Sequence, residues 1–232
     1  MRGGDTGCAH DAFGYPTLVG YVRPMTAAAP VSQPLIKASG LALSRGGRTL
    51  ARGLSLAAGP GGALVLTGPN GSGKTTLLRA LAGLARPEAG QITPDDRGEA
   101  IAFLGHAEGL KPSETVIATL QFWAKLHRAA PGSVEAALRA FAIAHLTERS
   151  CGHLSAGQRR RVALARVALS GRAVWLLDEP AAPLDSRGRA LLAAAVARHR
   201  AGGGVVIAAT HEALDWPDAE VISLASALES AA

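Results

Sequence analysis

The run Gly68-Pro69-Asn70-Gly71-Ser72-Gly73-Lys74-Thr75 follows the spacing G-x-x-x-x-G-K-[ST], and these residue types at this spacing can hold a chain of phosphates. Glycines let the backbone curl until its N–H groups point at anionic oxygens, and a following helix adds the positive end of its dipole. Lys74 is then in reach of the β- and γ-phosphates, and the Thr75 hydroxyl is placed to ligate Mg2+. Such a loop needs an apolar strand before it and a helix after it. Ala63-Leu64-Val65-Leu66-Thr67 supplies the strand, and a helix is expected to begin near Thr75. The chain is therefore expected to bind a nucleoside triphosphate through residues 68 to 75 and Thr76.

One phosphate cradle serves many chemistries, and the second half of the chain narrows the choice. Leu154-Ser155-Ala156-Gly157-Gln158 opens a basic helix through Arg159, Arg160, Arg161 and Arg166. The apolar strand Ala173-Val174-Trp175-Leu176-Leu177 ends in Asp178-Glu179-Pro180, and the strand Val205-Val206-Ile207-Ala208-Ala209 precedes His211. A carboxylate at the carboxyl end of a central strand lies beside the phosphate loop, so Asp178 can hold Mg2+ through its water shell. Glu179 can orient the attacking water or accept its proton. The alternative for this acidic pair is a cap on the next helix, and Ser155 also fits an ordinary N-cap, a role compatible with a functional one.

These motifs, in this order, resemble the ABC ATPase family from about Leu35 to Leu224. The resemblance implies an α/β P-loop NTPase fold with a mixed central sheet, an antiparallel β subdomain and a helical insertion. It implies ATP and Mg2+ as cofactors, with Lys74, Glu179 and His211 catalytic and with Thr75 and Asp178 holding the metal. Ser155, Gly157 and Gln158 would then close over the ATP of a second copy, giving a homodimer around two composite sites, and Leu184-Asp185 would form the loop that couples them. The partners implied are multi-span membrane subunits, with this chain peripheral on the cytoplasmic face of the inner membrane.

A narrower resemblance rests on Leu104-Gly105-His106, Gly109-Leu110-Lys111, Thr115-Val116 and Leu120-Gln121-Phe122-Trp123. These segments are similar to the ATP-binding subunits of cytochrome c maturation haem exporters. The function implied is ATP hydrolysis that powers haem export or the release of a haem-loaded chaperone. An ABC exporter ATPase for another cargo and a soluble ATP-dependent regulatory module are the alternatives. His106 stands where most of the family has a glutamine that senses the γ-phosphate and Mg2+. An imidazole can replace the amide's hydrogen bond, and a solvated loop histidine fits the residue equally. Arg45, before Gly46-Gly47, stands where the family stacks an aromatic ring on adenine. A guanidinium can stack on a base too, a solvated turn residue being the alternative. Ala181-Ala182-Pro183 departs from the usual lead into the coupling loop.

A chain of 232 residues has room for one α/β domain with a small insertion. Hydrophobic content is 48%, yet no run of 18 apolar residues occurs, so a membrane role must run through a partner. The formal charge of +6 suits anionic surfaces; Arg159, Arg160, Arg161 and Arg166 partly share a helix face that reads equally as solvated, and no specific nucleic acid is expected. Cys8 and Cys151 are too few and too far apart for a disulfide framework or a zinc site, which points to a reducing compartment, and Cys151-Gly152-His153 reads as the lead into the signature.

Residues 1–34 read as an unstructured leader with Met25 a candidate start, and 35–232 as the ATPase domain. The domain is expected to open with strands over about Leu35–Leu43 and Leu50–Ala57. The helical insertion is expected from about 111 to 153, or to 170 with the signature helix. Val116, Leu120, Trp123 and Leu126 mark its first helix and Val134 to Ala144 its second. Its aromatics are expected in the core, with Phe122 or Trp123 as candidates for a groove facing the membrane subunit. After the strand Val221-Ile222-Ser223-Leu224 no regulatory domain is expected.

Overall fold

Side-chain alternation along short apolar strands sets the architecture. The computed structural model describes residues 35–95 and 97–224, so the expected leader, with Cys8 and Met25, lies outside them. Strands β1 (Ile36–Arg45) and β2 (Arg48–Ala58) form an antiparallel hairpin, and β3 (Ala63–Thr67) runs into the phosphate loop and α1 (Lys74–Leu81). β4 (Ala89–Thr93), α2 (Arg97–Ala100) and β5 (Ile101–Leu104) follow. The insertion carries α3 (Val116–Leu126) and α4 (Ser133–Ala140), and the signature opens α5 (Ala156–Leu169). Then come β6 (Val174–Asp178), α6 (Ser186–Ala201), β7 (Val205–Ala209) and β8 (Glu220–Ser223).

The expected mixture of strand directions is divided between two sheets. β2-β1-β4 is antiparallel, and β5-β6-β7-β3-β8 pairs in parallel throughout. Within the parallel sheet, odd and even residues enter different cores, as a period of two requires. Leu64, Leu66, Val174, Leu176, Val205, Ile207 and Ala209 pack with α1 and the antiparallel sheet. Val65, Trp175, Leu177, Val206 and Ala208 pack with α5 and the helical insertion. Each large side chain so buried contributes about 1.5–3 kcal/mol. The sheet therefore clamps two apolar layers, which fixes where its strand ends can point.

Those ends position the chemistry. β3 delivers Thr67 to the phosphate loop, β5 leads to His106, β6 ends in Asp178, and β7 leads to His211. Four parallel strands that are neighbours in the sheet thus bring their carboxyl-end loops to one edge, where α/β sheets bind ligands.

The insertion matches its sequence pattern at the start and departs at the end. Thr115 caps α3, its side chain accepting from Ala118 N at 3.2 Å. The second helix stops at Ala140, short of the expected Ala144, because Ala142 takes φ of 50° and the chain turns into a short 3-10 segment. The aromatics do not all enter the core: Phe122 is 62% exposed, and Trp123 is half-buried under the Arg166 guanidinium. β4 and α6 carry no expectation from the sequence. Asp185 starts α6 by accepting from Gly188 N at 2.7 Å, so the residue assigned to a coupling loop also serves as a helix cap.

Candidate functional site

A cavity of about 440 Å3 lies at the sheet's carboxyl edge, lined by Arg45, Arg48, Leu50, Asn70, Gly71, Gly73, Lys74, Thr75, Thr76, His106, Asp178 and Glu179. That volume is in the range of small-molecule sites. A groove of about 450 Å3 between α4 and α6 is as large but lined chiefly by alanines, with Phe141, Trp175 and His199. Chemistry, not size, separates the two: the first gathers a buried ammonium, two arginines and two carboxylates.

The cradle is built around Lys74, which is only 7% exposed. Its ammonium donates to the loop carbonyls of Gly68 at 2.7 Å and Pro69 at 3.1 Å. An ammonium has three N–H groups, so one remains for a phosphate oxygen. Gly73 has φ of 101°, and a Cβ there would stand 3.1 Å from Leu50 Cβ, so only glycine lets the loop close against β2. Ser72 Oγ is buried without a partner, a polar atom whose desolvation a bound phosphate would offset. The pocket's donors and its volume fit a triphosphate.

The fit for a divalent cation is local to β6 and α1. Thr75 Oγ1 donates toward the Asp178 carboxylate, at 3.1 Å from Oδ1 and 3.0 Å from Oδ2. Asp178 is 4% exposed, and burial pushes its carboxyl above the usual range while the Thr75 hydrogen bond and the Arg160 charge oppose the shift. A hydroxyl and a carboxylate in contact form the hard-oxygen donor set that Mg2+ prefers beside phosphates.

Glu179 follows in a left-handed conformation, φ 48°, uncommon for a residue with a side chain. Its Oε1 lies 3.0 Å from His211 Nδ1, and its Oε2 is buried without a partner. The backbone helps: Glu179 N donates to Ala209 O at 2.8 Å, tying the carboxylate's segment to the end of β7. His211 itself is largely exposed and reaches the site through Glu179. The loop bearing it is anchored by the Arg189–Glu212 ion pair at 2.5 Å.

His106 lines the same cavity as Asp178 and Glu179, on the loop after β5. Arg45 lines it too, at the end of β1. The Gly46-Gly47 turn, with both φ values positive, is the two-residue hairpin turn that sets Arg45 directly opposite Arg48. Arg48 is therefore a second cationic lining residue. The Gly-Gly turn signal in the sequence points to a hairpin, and the hairpin register is what brings Arg48 to the cavity.

The signature residues stand apart. Ser155 caps α5 in a reciprocal box: its Oγ accepts from Gln158 N at 3.2 Å, and Gln158 Oε1 accepts from Ser155 N at 2.9 Å. Ser155 is exposed, and neither it, Gly157 nor Gln158 lines the cavity. A Cβ on Gly157 would stand 2.9 Å from Pro183 O, so the glycine is required by close approach to the loop before α6.

The arginines after the signature do not form a shared basic face. Successive helix residues turn by 100°, and these three go three ways. Arg159 donates to Leu154 O and pairs with Glu108 at 3.5 Å, while Arg161 reaches the carbonyls of Phe141 and Ala142 at 3.3 Å. Arg160 is 3% exposed and donates to Gly105 O at 3.2 Å, Pro180 O at 3.3 Å, Glu179 O at 2.8 Å and to Asp178 O. Burial lowers its pKa, and the charges of Glu108, Asp178 and Glu179 push the other way. Hydrogen bonds to a charged donor are worth about 1.5–3 kcal/mol each, so four of them can offset a desolvation cost of several kcal/mol. Arg166 donates to Phe103 O at 3.4 Å and lies 4.7 Å from the Trp123 ring centroid. Cys151 is buried, with Sγ 3.6 Å from Thr119 Oγ1, whereas His153 is exposed and bonded to Ser150.

The ABC transporter family model matches residues 51–182, more than half of the chain. The chain is 54% identical over 202 residues to the cytochrome c biogenesis ATP-binding export protein CcmA of Maricaulis maris, covering 84% of this chain and 94% of that protein. It is 42% identical over 212 residues to the protein of the same name from Rhodospirillum rubrum, covering 88% and 91%. Among solved structures it is similar to a putative ABC transporter ATP-binding protein of Pyrococcus furiosus, with a TM-score of 0.73 over 82% of this chain and 98% of that one at 24% identity, a likeness of fold. The matched span includes the cradle, the signature and the Asp178-Glu179 pair. By these matches the chain belongs to the ABC transporter family of ATP-binding proteins, in the group of the CcmA-type subunits.

Proposed function

We propose that this chain is the ATP-hydrolysing subunit of a cytochrome c biogenesis export complex, working as a homodimer on the cytoplasmic face of the inner membrane and driving multi-span membrane partners. The observation that carries the reading is the convergence of Lys74, Thr75, Asp178, Glu179 and His106 on one cavity, with His211 held against Glu179. Similarity to the CcmA proteins supports haem export, or release of a haem-loaded chaperone, as the work done.

The residues divide the chemistry. Loop N–H groups and Lys74 bind the β- and γ-phosphates, while Arg45 and Arg48 stand where the base or ribose would lie. Thr75 and Asp178 would hold Mg2+, whose positive charge would offset the charge that develops on the phosphates. Glu179 orients the attacking water and accepts its proton, and His211 fixes that carboxylate's rotamer through the 3.0 Å contact. His106 takes the place of an amide sensor at the γ-phosphate. Ser155 and Gly157 of a second copy complete the site, because the chain's own signature faces outward. Residues 35–232 form the working domain, with the insertion from about 111 to 170 carrying the partner surface. A shallow pocket of about 140 Å3 beside exposed Phe122, lined also by Lys111, Glu114 and Trp123, is where a membrane subunit docks. Among the described residues no helix is long and apolar enough to cross a membrane.

Deletion of the gene, or Lys74→Ala, tests the cargo. The expected result is loss of holo-cytochrome c, with haem-loaded chaperone accumulating if ATP drives release and absent if ATP drives haem supply. Normal holo-cytochrome c would contradict the haem assignment and leave an ATPase for another cargo.

A further inference from the structure

Arg160 lies outside every motif that carries the proposed chemistry, yet its guanidinium joins two of the segments that do. It is 3% exposed and donates to the carbonyls of Asp178, Glu179 and Pro180 in one segment, and to Gly105 O, one residue before His106, in another. Among the described residues no carboxylate lies within ion-pairing distance of it. The group is spent entirely on backbone oxygens, and those oxygens belong to the metal-ligating residue, the general base and the residues flanking them.

The conformation of Glu179 gives this arrangement its meaning. A left-handed φ of 48° is unfavourable for a glutamate and persists only where surroundings enforce it. Three successive carbonyls, 178 to 180, turn toward one planar donor fork, with the chain bent at Glu179 between them. The bend aims the Glu179 side chain at His211 instead of continuing β6. Through Gly105 the same fork fixes the root of the His106 loop. We propose that Arg160 is a positioning residue for the hydrolytic step: it locks Glu179 in its bent backbone and holds the His106 loop in register with it, without touching nucleotide. The inference rests on Glu179 and His106 having the roles proposed above. It also gives α5 two duties, since Ser155 at its start faces a second copy while Arg160, about 7.5 Å further along the helix axis, serves the chain's own carboxylate.

The test compares the full-length wild type with Arg160→Lys, which keeps the charge but offers one point donor, and Arg160→Met, which keeps the length but no donor. Each variant's melting temperature, KM for ATP and kcat are measured, kcat well below the melting temperature. A positioning role predicts KM within about threefold of wild type and kcat down by about tenfold or more in both folded variants. Unchanged kcat within about twofold would overturn the proposal. So would a loss of kcat that vanishes on cooling, because that tracks stability alone, and so would failure of both variants to fold, which would make Arg160 a fold residue only. If the wild type itself shows no hydrolysis dependent on Glu179, the reading of the site fails and this inference fails with it; hydrolysis retained in the variants sinks the inference alone.

Discussion

The phosphate cradle and the signature are built on opposite principles within one chain. The cradle is inward: Lys74 is buried and pinned to its own loop, Thr75 is bonded to Asp178, and Glu179 is fixed by His211, Ala209 and Arg160. The signature is outward: the side chains of Ser155 and Gln158 bond to each other's backbone N–H, on the exposed end of α5. A fully internal site would spend its signature on its own cavity. Here one half is preorganised by the fold and the other is left exposed, as the proposed homodimer requires. Substitutions should therefore separate by which half they strike.

The largest effect is expected on the cradle. Lys74→Ala removes a charge-assisted contact to phosphate worth about 1.5–3 kcal/mol, so ATP affinity should fall roughly 10- to 150-fold. Isothermal titration checks this, and unchanged affinity would mean that the cavity is not where ATP binds.

Ser155→Asp strikes the other half. Aspartate is as good an N-cap as serine, so the melting temperature should hold, but its charge would meet a partner's triphosphate. Nucleotide affinity of the isolated chain should stay within about twofold while turnover falls by about tenfold or more. Equal loss of both would place the signature beside its own cradle and erase the contrast.

His106 sharpens the inward half. His106→Gln should retain substantial hydrolysis and His106→Ala should not, because only the amide replaces the imidazole's hydrogen bond. Equal activity in all three would make His106 a bystander.

The smallest effect lies far from both halves, in the alanine-lined groove. His199 stacks on Trp175 with ring centroids 4.0 Å apart, and burial lowers its pKa below the ordinary 6.5. Between the lowered native pKa and about 6.5 the unfolded chain binds more protons, so stability should fall as pH falls through that window and be unaffected above it. His199→Gln should flatten that slope in thermal melts without altering ATP turnover at pH 7.5. His127, also lowered by burial and then by Arg172 and Arg166, adds to the slope in the same direction.

What was legible in the sequence follows the same division. The cradle, signature, Asp178-Glu179 and His211 could be read because each chemistry needs particular residues at short spacing, and the strands that aim them are uninterrupted apolar runs. Arg160 could not. Its contacts lie 18 to 55 residues away, and within Arg159-Arg160-Arg161 nothing local tells a buried guanidinium from solvated ones; only the 100° helical step, combined with knowing what packs on α5, separates them. β4 was missed because Ala89-Gly90-Gln91 lacks strand formers and pairs only as an edge to β1. α6 was missed because its alanines and arginines show little amphipathic contrast, although Asp185 and Gly202 mark its two ends.

The composite site proposed for this ABC-type ATPase is tested most directly by Glu179→Gln. Removing the base while keeping the side chain's shape should leave ATP bound and unhydrolysed, with each signature closed over the other chain's cradle. Sedimentation of this variant with and without Mg-ATP should show a monomer becoming a stable dimer that retains intact ATP. Hydrolysis at the wild-type rate, or a nucleotide-saturated chain that stays monomeric, would contradict the account.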